Sequence, residues 1–527
     1  MTKYIIYLFI VLCFLILEIN AQGTYRAAVL EYATKDEVPL SLTRILKNVE
    51  NYVYYMETAA DKNVQIIVFP EYGLTGWENI NYNTIDELST EVPDPVLEIS
   101  PCRTPGGYSK HLIDLSCAAD VNKIYTVVNL IEKQHDNNSK QKLYHNTNVV
   151  FNDKGAVIAR HRKINLYNEG VFTPGDQLVT FKTNFGVTFG MFICADLIFK
   201  KPAIDILANS TITDIVFSTA WFSQLPFYGA LSIQHGYAKS NRVNLIAAGI
   251  NDPSKKNGGS GIYLHDGRIA QTYIAGIRGT KILIQDVPKV ASVIPLDTCQ
   301  DGNVALERGI AIPGLPGGQL PDISTFVTSQ EDLINYTFKS LNLDRNEISE
   351  TICSGRSNFC CSFEITVARN GSAPLNYVYK LLAYYGVSVI STNTTVGLRN
   401  CALVACLNDT NASCGGRHKE GPHGIIFESI SVKGNFNPNT THAQPATITH
   451  KLVPITDYTF CEKKVNGTIE IEMKTSSKQN ALLTFGIYGR VFTNDGKPVG
   501  PINSASSFKK NIYLTIIVSV LIFLLQD

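Results

Sequence analysis

The chain has 527 residues, 45% of them hydrophobic and 17% charged, which excludes long disorder and leads to an expectation of three or four domains at roughly 150 residues each. Lysine plus arginine equals aspartate plus glutamate at 46 each, so the charge balance gives no support for a grip on nucleic acid. A mean hydropathy of +0.02 is too low for a polytopic membrane protein.

Residues 1–21 carry Lys3, an apolar run Ile5–Leu17 and a small residue at Ala21, the pattern of a cleaved secretory signal. The run is short for an uncleaved membrane anchor. From Tyr25 to Val304, strand-like runs alternate with helical patterns. Ala27–Tyr32 reads as a strand, and Leu42, Ile45, Leu46, Val49, Val53 and Met56 fall on one helical face. Val64–Phe69 reads as a buried strand ending at Pro70 and Glu71. Further strands are expected over Lys123–Ile131, Thr147–Phe151, Ala156–Ala159, Val187–Ile193, Asp214–Thr219 and Asn244–Ile250, with a hairpin turn at Asn152-Asp153-Lys154-Gly155. Runs so rich in Val and Ile imply sheets covered by helices, hence an α/β domain over residues 22–312.

Residues 313–329 begin Pro-Gly-Leu-Pro-Gly-Gly and form the expected linker. Over 330–502 come clustered cysteines and short strand-like pieces such as Ser362–Val367, Ser388–Ser391 and Ala481–Tyr488. That composition points to a smaller β-rich domain stapled by disulfides. Nine N-x-S/T sequons occur, at Asn137, Asn209, Asn335, Asn370, Asn393, Asn408, Asn411, Asn439 and Asn466, six of them beyond residue 360. The second domain is therefore expected to carry most of the glycan.

Residues 503–527 combine small residues (503–507), polar Lys509-Lys510-Asn511 and the apolar run Ile512–Leu525. As a helix that run would span roughly 21 Å against a hydrocarbon core of roughly 30 Å, and no basic flank follows it. The pattern is that of a GPI-attachment signal with Asn503 or Ser504 as acceptor; a short transmembrane helix is the alternative. The expected location is the extracellular face of the plasma membrane, reached through the secretory pathway, with the membrane as partner through a lipid anchor.

HExxH, paired CxxC, Walker A and GxSxG patterns are absent from the sequence. Cys401, Cys406 and Cys414 are spaced poorly for zinc, and an oxidising compartment favours disulfides, so no metal is expected. Twelve cysteines less Cys13 of the signal leave eleven, an odd number. A cysteine such as Cys194, after the apolar run Phe189–Ile193, is ordinarily an inert core thiol. Setting it aside leaves ten, enough for five disulfides, and that arithmetic singles it out. Glu71 stands at a strand end, where functional groups of α/β sheets collect. Lys163 lies in the basic run Ala159–Leu166, which alone would read as a solvated face. Together the three are the parts a thiol nucleophile needs: a base, a cation for the oxyanion, and the thiol itself.

Phe69-Pro70-Glu71-Tyr72-Gly73-Leu74-Thr75-Gly76, Arg162-Lys163-Ile164-Asn165-Leu166-Tyr167 and Ile193-Cys194-Ala195-Asp196 resemble, in order, the three catalytic blocks of the nitrilase superfamily. With the signal, the second domain and the tail, the chain resembles the vanin/biotinidase family. The segments 144–151, 181–186, Ala220-Trp221 and 259–263 are similar to that family as well. The resemblance implies a four-layer α-β-β-α sandwich followed by a C-terminal base domain. It implies Glu71 as general base, Lys163 as oxyanion stabiliser and Cys194 as nucleophile toward a linear amide. Glu169 would match an auxiliary glutamate, and the Ala195 N–H would be a second oxyanion donor. No cofactor is implied. The small-molecule amide expected is pantetheine, with biotin amides or esters as the alternative and an inactive surface recognition protein as a further one. Tyr72-Gly73-Leu74 departs from the Asp-Gly-Ile usual in vanins, and Ala195 replaces a bulkier residue. Both departures touch the pocket.

Overall fold

The computed structural model describes residues 23–290, 299 and 321–502, apart from 105, 137–140, 356, 370, 372, 419, 420, 422, 423, 438, 439 and 466. The expected signal, the first part of the expected linker and the tail with Asn503 and Ser504 lie outside the described residues, as do Asn137, Asn370, Asn439 and Asn466. Among the described residues, no helix is long and apolar enough to cross a membrane.

Two six-stranded sheets build the N-terminal half. The first holds β1 (Thr24–Glu31), β2 (Ile66–Val68), β3 (Tyr125–His135), β4 (Lys142–Phe151), β5 (Val157–Arg162) and β13 (Lys281–Pro288), in the order β13-β1-β2-β3-β4-β5. The second holds β6 (Val179–Lys182), β7 (Thr188–Ile193), β8 (Asp214–Thr219), β10 (Asn244–Gly249), β11 (Ser260–Tyr263) and β12 (Ile269–Tyr273). The short β9 (Gln224–Leu225) stands apart, and β13 returns to flank β1. Strands β1, β2 and β3 run parallel, as do β7, β8 and β10, so their C-terminal ends collect at one edge of each sheet.

Period-two alternation sets the layers. Val29, Val68, Val127, Met191, Val216 and Ile246 meet between the sheets. Their neighbours Leu30, Ile67 and Val128 turn outward onto helices α1 (Leu42–Ala60) and α2 (Lys110–Asn122). On the other face, Phe217 and Leu245 pack against α3 (Ala230–Asn241). This is the expected α-β-β-α sandwich.

The C-terminal half adds two more sheets. One holds β15 (Thr337–Ser340), β18 (Val378–Ser391), β19 (Thr394–Cys406), β21 (Thr441–Thr449) and β24 (Leu482–Val491), with β25 (Gly500–Pro501) on β18. The other holds β16 (Glu347–Cys353), β17 (Cys360–Arg369), β20 (Ile425–Phe436), β22 (Tyr458–Val465) and β23 (Thr468–Thr475). Leu381, Leu403 and Phe485 of the first meet Phe363, Val432 and Met473 of the second in their shared core. The outer face of the first sheet covers α3: Leu382, Tyr384 and Val404 join the cluster of Ile233 and Tyr237. A Cβ at Gly236 of α3 would lie 2.5 Å from the Pro445 carbonyl oxygen, so only glycine allows this approach.

Among the described residues, five disulfides join Cys102–Cys117, Cys299–Cys461, Cys353–Cys360, Cys361–Cys401 and Cys406–Cys414, and Cys194 is the free cysteine. The residues considered for zinc are thus divided between two different disulfides. The described part of the expected linker is packed, not free. Ile323 and Phe326 are buried, and β14 (Ser329–Gln330) pairs in parallel with β9.

Candidate active site

Glu71 follows β2, Lys163 follows β5 and Cys194 follows β7, so two sheets deliver the three groups to one place. Ser218 Oγ of β8 donates to the Phe69 carbonyl at 2.7 Å, which ties the two sheets directly beneath them. Cys194 has φ of +47° and Tyr72 +58°, the left-handed region that bulky side chains avoid. Each costs of order 1–3 kcal/mol, held in place by the surrounding core. At Gly73 an added Cβ would fall 1.8 Å from the Tyr52 hydroxyl of α1, which explains glycine in this loop.

Glu71 is 1% exposed. Its Oε1 accepts from Lys163 Nζ at 2.7 Å and from Asn146 Nδ2 at 2.8 Å; its Oε2 accepts from the Ala220 N–H at 2.8 Å. Lys163 Nζ also lies 2.6 Å from Glu169 Oε2. Burial opposes the Lys163 ammonium, but the carboxylates of Glu169 and Glu71 outweigh it and hold its pKa well above the ordinary lysine range. Burial raises the Glu71 carboxyl, with Lys163 pulling it the other way. For Glu169, burial is outweighed by Lys163, and the carboxyl is held below its usual range. The lysine is therefore held as a cation between two carboxylates. Burial, with Glu71 nearby, pushes the Cys194 thiol up.

A second set of buried groups fixes the loops. Asp196 Oδ2 lies 3.1 Å from His161 Nε2, both side chains fully buried, while Oδ1 accepts from the Asn165 N–H and Nδ2, each at 2.8 Å. Oδ2 also accepts from the Ile193 N–H at 3.2 Å. One carboxylate thus clamps the Lys163 loop to the Cys194 turn. The run 159–166, which alone reads as a solvated face, is largely turned inward. Arg162 donates through Nε and Nη2 to the buried Glu132 at 2.9 and 2.6 Å, and Lys163 is buried.

Glu169 stands on Lys163, and Ala195 is the second residue of the 3-10 turn (Cys194–Ile198) that opens with the free cysteine. Asn146 links Glu71 to Glu169, donating to both at 2.8 Å, and accepts from Asn129 Nδ2 at 2.7 Å. Asn129 Oδ1 in turn accepts from the Tyr72 N–H at 2.9 Å, and the Tyr72 hydroxyl donates to Glu169. Asn146 was assigned no role from the sequence, because it lies among the polar residues His145, Thr147 and Asn148 of β4 and nothing local sets it apart. Of the described sequons, Asn209, Asn335, Asn393, Asn408 and Asn411 are all exposed. Asn209 and Asn408 also bend into turns closed by Thr211 and Thr410.

Above Cys194 opens a cleft of about 440 Å³ including its mouth, walled by Tyr167, Ile198, Trp221, Phe222, Tyr228 and Ile390. Gln224 is the amide side chain in its lining, and among the described residues no charged side chain lines it. Tyr167 stacks on Phe222, Trp221 Nε1 donates to the Tyr228 carbonyl at 2.8 Å, and the Tyr228 and Tyr488 hydroxyls meet at 2.9 Å.

Two family models match the chain: Carbon-nitrogen hydrolase over residues 26–290 and Vanin C-terminal domain over 325–495. Vanin-like protein 1 of Drosophila melanogaster is 31% identical over 507 residues, covering 89% of this chain and 86% of that protein. A Pantetheinase of Canis lupus familiaris is 29% identical, covering 92% of each chain. A Biotinidase of Takifugu rubripes is 30% identical, covering 89% of this chain and 94% of that protein. Among solved structures, the Saccharomyces cerevisiae protein Nit3 aligns with a TM-score of 0.40 at 20% identity, over 50% of this chain and 90% of that one.

Proposed function

The chain belongs to the carbon-nitrogen hydrolase family and, within it, to the vanin-like proteins, and on that premise we propose that it hydrolyses pantetheine to pantothenate and cysteamine through a thioester on Cys194. The observation that carries this reading is the meeting of Glu71, Lys163 and a free cysteine beneath a cleft without charged lining. Pantetheine is neutral on both sides of its amide, as such a cleft favours. Biocytin brings an ammonium and a carboxylate that would have to be desolvated there without partners.

Cys194 Sγ attacks the amide carbon as Glu71 takes the thiol proton. The oxyanion forms against the Lys163 ammonium and the Ala195 N–H. When the C–N bond breaks, the Glu71 proton leaves with the amine, and the acyl group stays on Sγ as a thioester. Glu71, again ionised, then takes a proton from water as its oxygen attacks the thioester carbon. Breaking the C–S bond frees the acid and returns the proton to Cys194. Glu169 keeps Lys163 charged and in place throughout.

The protein acts outside the cell, a reading supported by its five disulfides and its exposed sequons, and its C-terminal segment 503–527 would hold it there on a lipid anchor. Release from cells by a phosphatidylinositol-specific phospholipase tests the anchor. The activity is tested by amine release from pantetheine and biocytin, with Cys194→Ala beside the wild type. Pantetheine cleavage lost in the variant supports the proposal. Preference for biocytin moves it to a biotinidase-like activity, and silence on both by the folded protein favours an inactive recognition protein.

A further inference from the structure

The cleft is not closed by the N-terminal half alone. Ile390, which lines it beside Cys194, belongs to β18 of the C-terminal half, almost 200 residues further along the chain. Its presence there has a visible backbone cause. Along the β18–β19 hairpin, Val389 pairs with Thr395 but Ser391 pairs with Thr394, leaving Ile390 as an extra residue on its strand. A one-residue bulge of this kind twists the strand and re-aims a side chain, and bulges concentrate beside active sites. Val389 is 58% exposed to solvent, whereas Ile390 is half-buried against the apolar cluster that includes Cys194, Ile198, Trp221 and Tyr228.

The hairpin tip is also fastened to the catalytic loop. The Thr392 N–H donates to Asn168 Oδ1 at 3.1 Å. Asn168 has φ of +55° and stands between Tyr167, which lines the cleft, and Glu169, which holds Lys163. The same loop turn thus presents one wall residue, anchors the C-terminal hairpin and positions the cation. The acyl group remains on Sγ through both half-reactions while the amine leaves. A wall fixed from two sides therefore suits the acyl group, and an open mouth suits the amine.

We propose that Ile390 is a specificity-determining residue for the acyl group, delivered to the cleft by the β18–β19 bulge and held there by the Thr392–Asn168 hydrogen bond. The inference rests on the amidase reading given above. Its consequence is that the acyl preference of the enzyme is written partly in the C-terminal domain. A hydrophobic contact of a few carbon atoms commonly changes selectivity by about 10-fold to 200-fold.

The test uses the full-length protein with Ile390→Ala, Ile390→Phe and Asn168→Gly, the last keeping the left-handed backbone while removing the acceptor. Two substrate series are compared by kcat/KM: one amine with acyl groups from acetyl to a branched chain, and one acyl group with amines of growing size. Thermal unfolding establishes that each variant is folded, and none of the three alters the sequon at Asn393. Ile390→Ala is expected to move the branched-over-acetyl preference about tenfold or more toward the branched acyl group, and Ile390→Phe to move it the other way. Asn168→Gly should shift it in the direction of Ile390→Ala by a smaller factor. An acyl preference unmoved in folded Ile390 variants, or an equal shift in the amine series, overturns the proposal while leaving the amidase reading intact. Absence of turnover of both series by the wild type removes both.

Discussion

Two neighbouring parallel strands of the first sheet lead to buried glutamates; burial raises both carboxyls, and their partners differ. Glu31 ends β1 and Glu71 lies three residues beyond β2; they are 0% and 1% exposed. Glu31 accepts from Asn251 Nδ2 and the Gly259 N–H, each at 3.0 Å, and from the Ser260 hydroxyl. These donors are all neutral, and burial lifts the Glu31 carboxyl to about 7 in spite of them. Glu71 has amide donors as well but adds the Lys163 ammonium. Equal burial thus gives a clamp for the 249–260 loop in one case and, in the other, a carboxylate paired with a buried cation, which the proposed mechanism uses as its base. Partner charge, not depth, separates the two.

The sharpest way to break this comparison is to make the same isosteric change at both places. Glu71→Gln keeps an acceptor for Lys163 but cannot take a proton, and kcat should fall by about 10²–10⁴. Glu31→Gln reproduces the protonated clamp and should keep kcat within about an order of magnitude. Steady-state kinetics of the two variants side by side decide the matter, and equal losses would end the distinction. Lys163→Met attacks the other member of the pair. It leaves Glu71 and Glu169 buried without their cation, and removal of one partner of a buried ion pair costs about 3–5 kcal/mol. Urea unfolding of the variant should show a loss of that size; a loss within about 1 kcal/mol would mean that Lys163 is not held as described.

The clamp has its own signature in pH. The Glu31 carboxyl is raised from 4.5 to about 7 on folding, so between those values the folded chain holds a proton that the unfolded chain has lost. Unfolding free energy from this group therefore falls as pH rises. Its contribution is complete below about 4.5 and gone above about 7, on the order of 3 kcal/mol in all. Glu31→Gln should flatten the wild-type slope across that window in thermal unfolding at fixed ionic strength. Parallel slopes for the two proteins would show that Glu31 titrates normally.

How far these features are legible in the sequence differs between the two carboxylates and between the two halves. Asp214–Thr219 forms over the expected residues because its apolar run is bounded by turn signals on both sides. Helix α3 gave no amphipathic pattern, because the sandwich covers one face and the C-terminal sheet the other, so ten of its twelve residues are buried. Ser388–Ser391 was legible only as a short strand; it is the end of the fourteen-residue β18, whose bulge depends on pairing with β19. Glu71 and Cys194 stood out as chemistry-bearing residues after apolar runs, whereas Lys163 sat in a basic run that alone reads as a solvated face. The convergence of the three did not stand out, since strand order and sheet stacking are set by contacts more than ninety residues apart. The buried pairing of Arg162 with Glu132 was hidden for the same reason: a charge in a sequence reads as exposed until its partner is known.

The smallest effect bears on how the cation itself is held. Tyr72 occupies a position where the resemblance leads one to expect aspartate, and its hydroxyl donates to Glu169 while Glu169 holds Lys163 at 2.6 Å. A carboxylate placed there would bring another negative charge against Glu169. The phenol supplies a neutral donor in its stead, and its ring packs toward Phe172. Tyr72→Phe keeps the ring and deletes the donor. A hydrogen bond to a charged group is worth about 1.5–3 kcal/mol, but Glu169 retains Lys163, Asn146 and the Tyr167 N–H, so a loss of about tenfold in kcat/KM is expected. Direction in pH separates positioning from packing. Glu169 is held below its usual range by Lys163 with help from the Tyr72 hydroxyl, so the Phe variant should have the higher Glu169 pKa. The acid limb of its kcat/KM profile should accordingly move to higher pH. An unmoved limb with an unchanged rate would reduce Tyr72 to a packing residue and leave Glu169 and Asn146 as the groups that hold the cation.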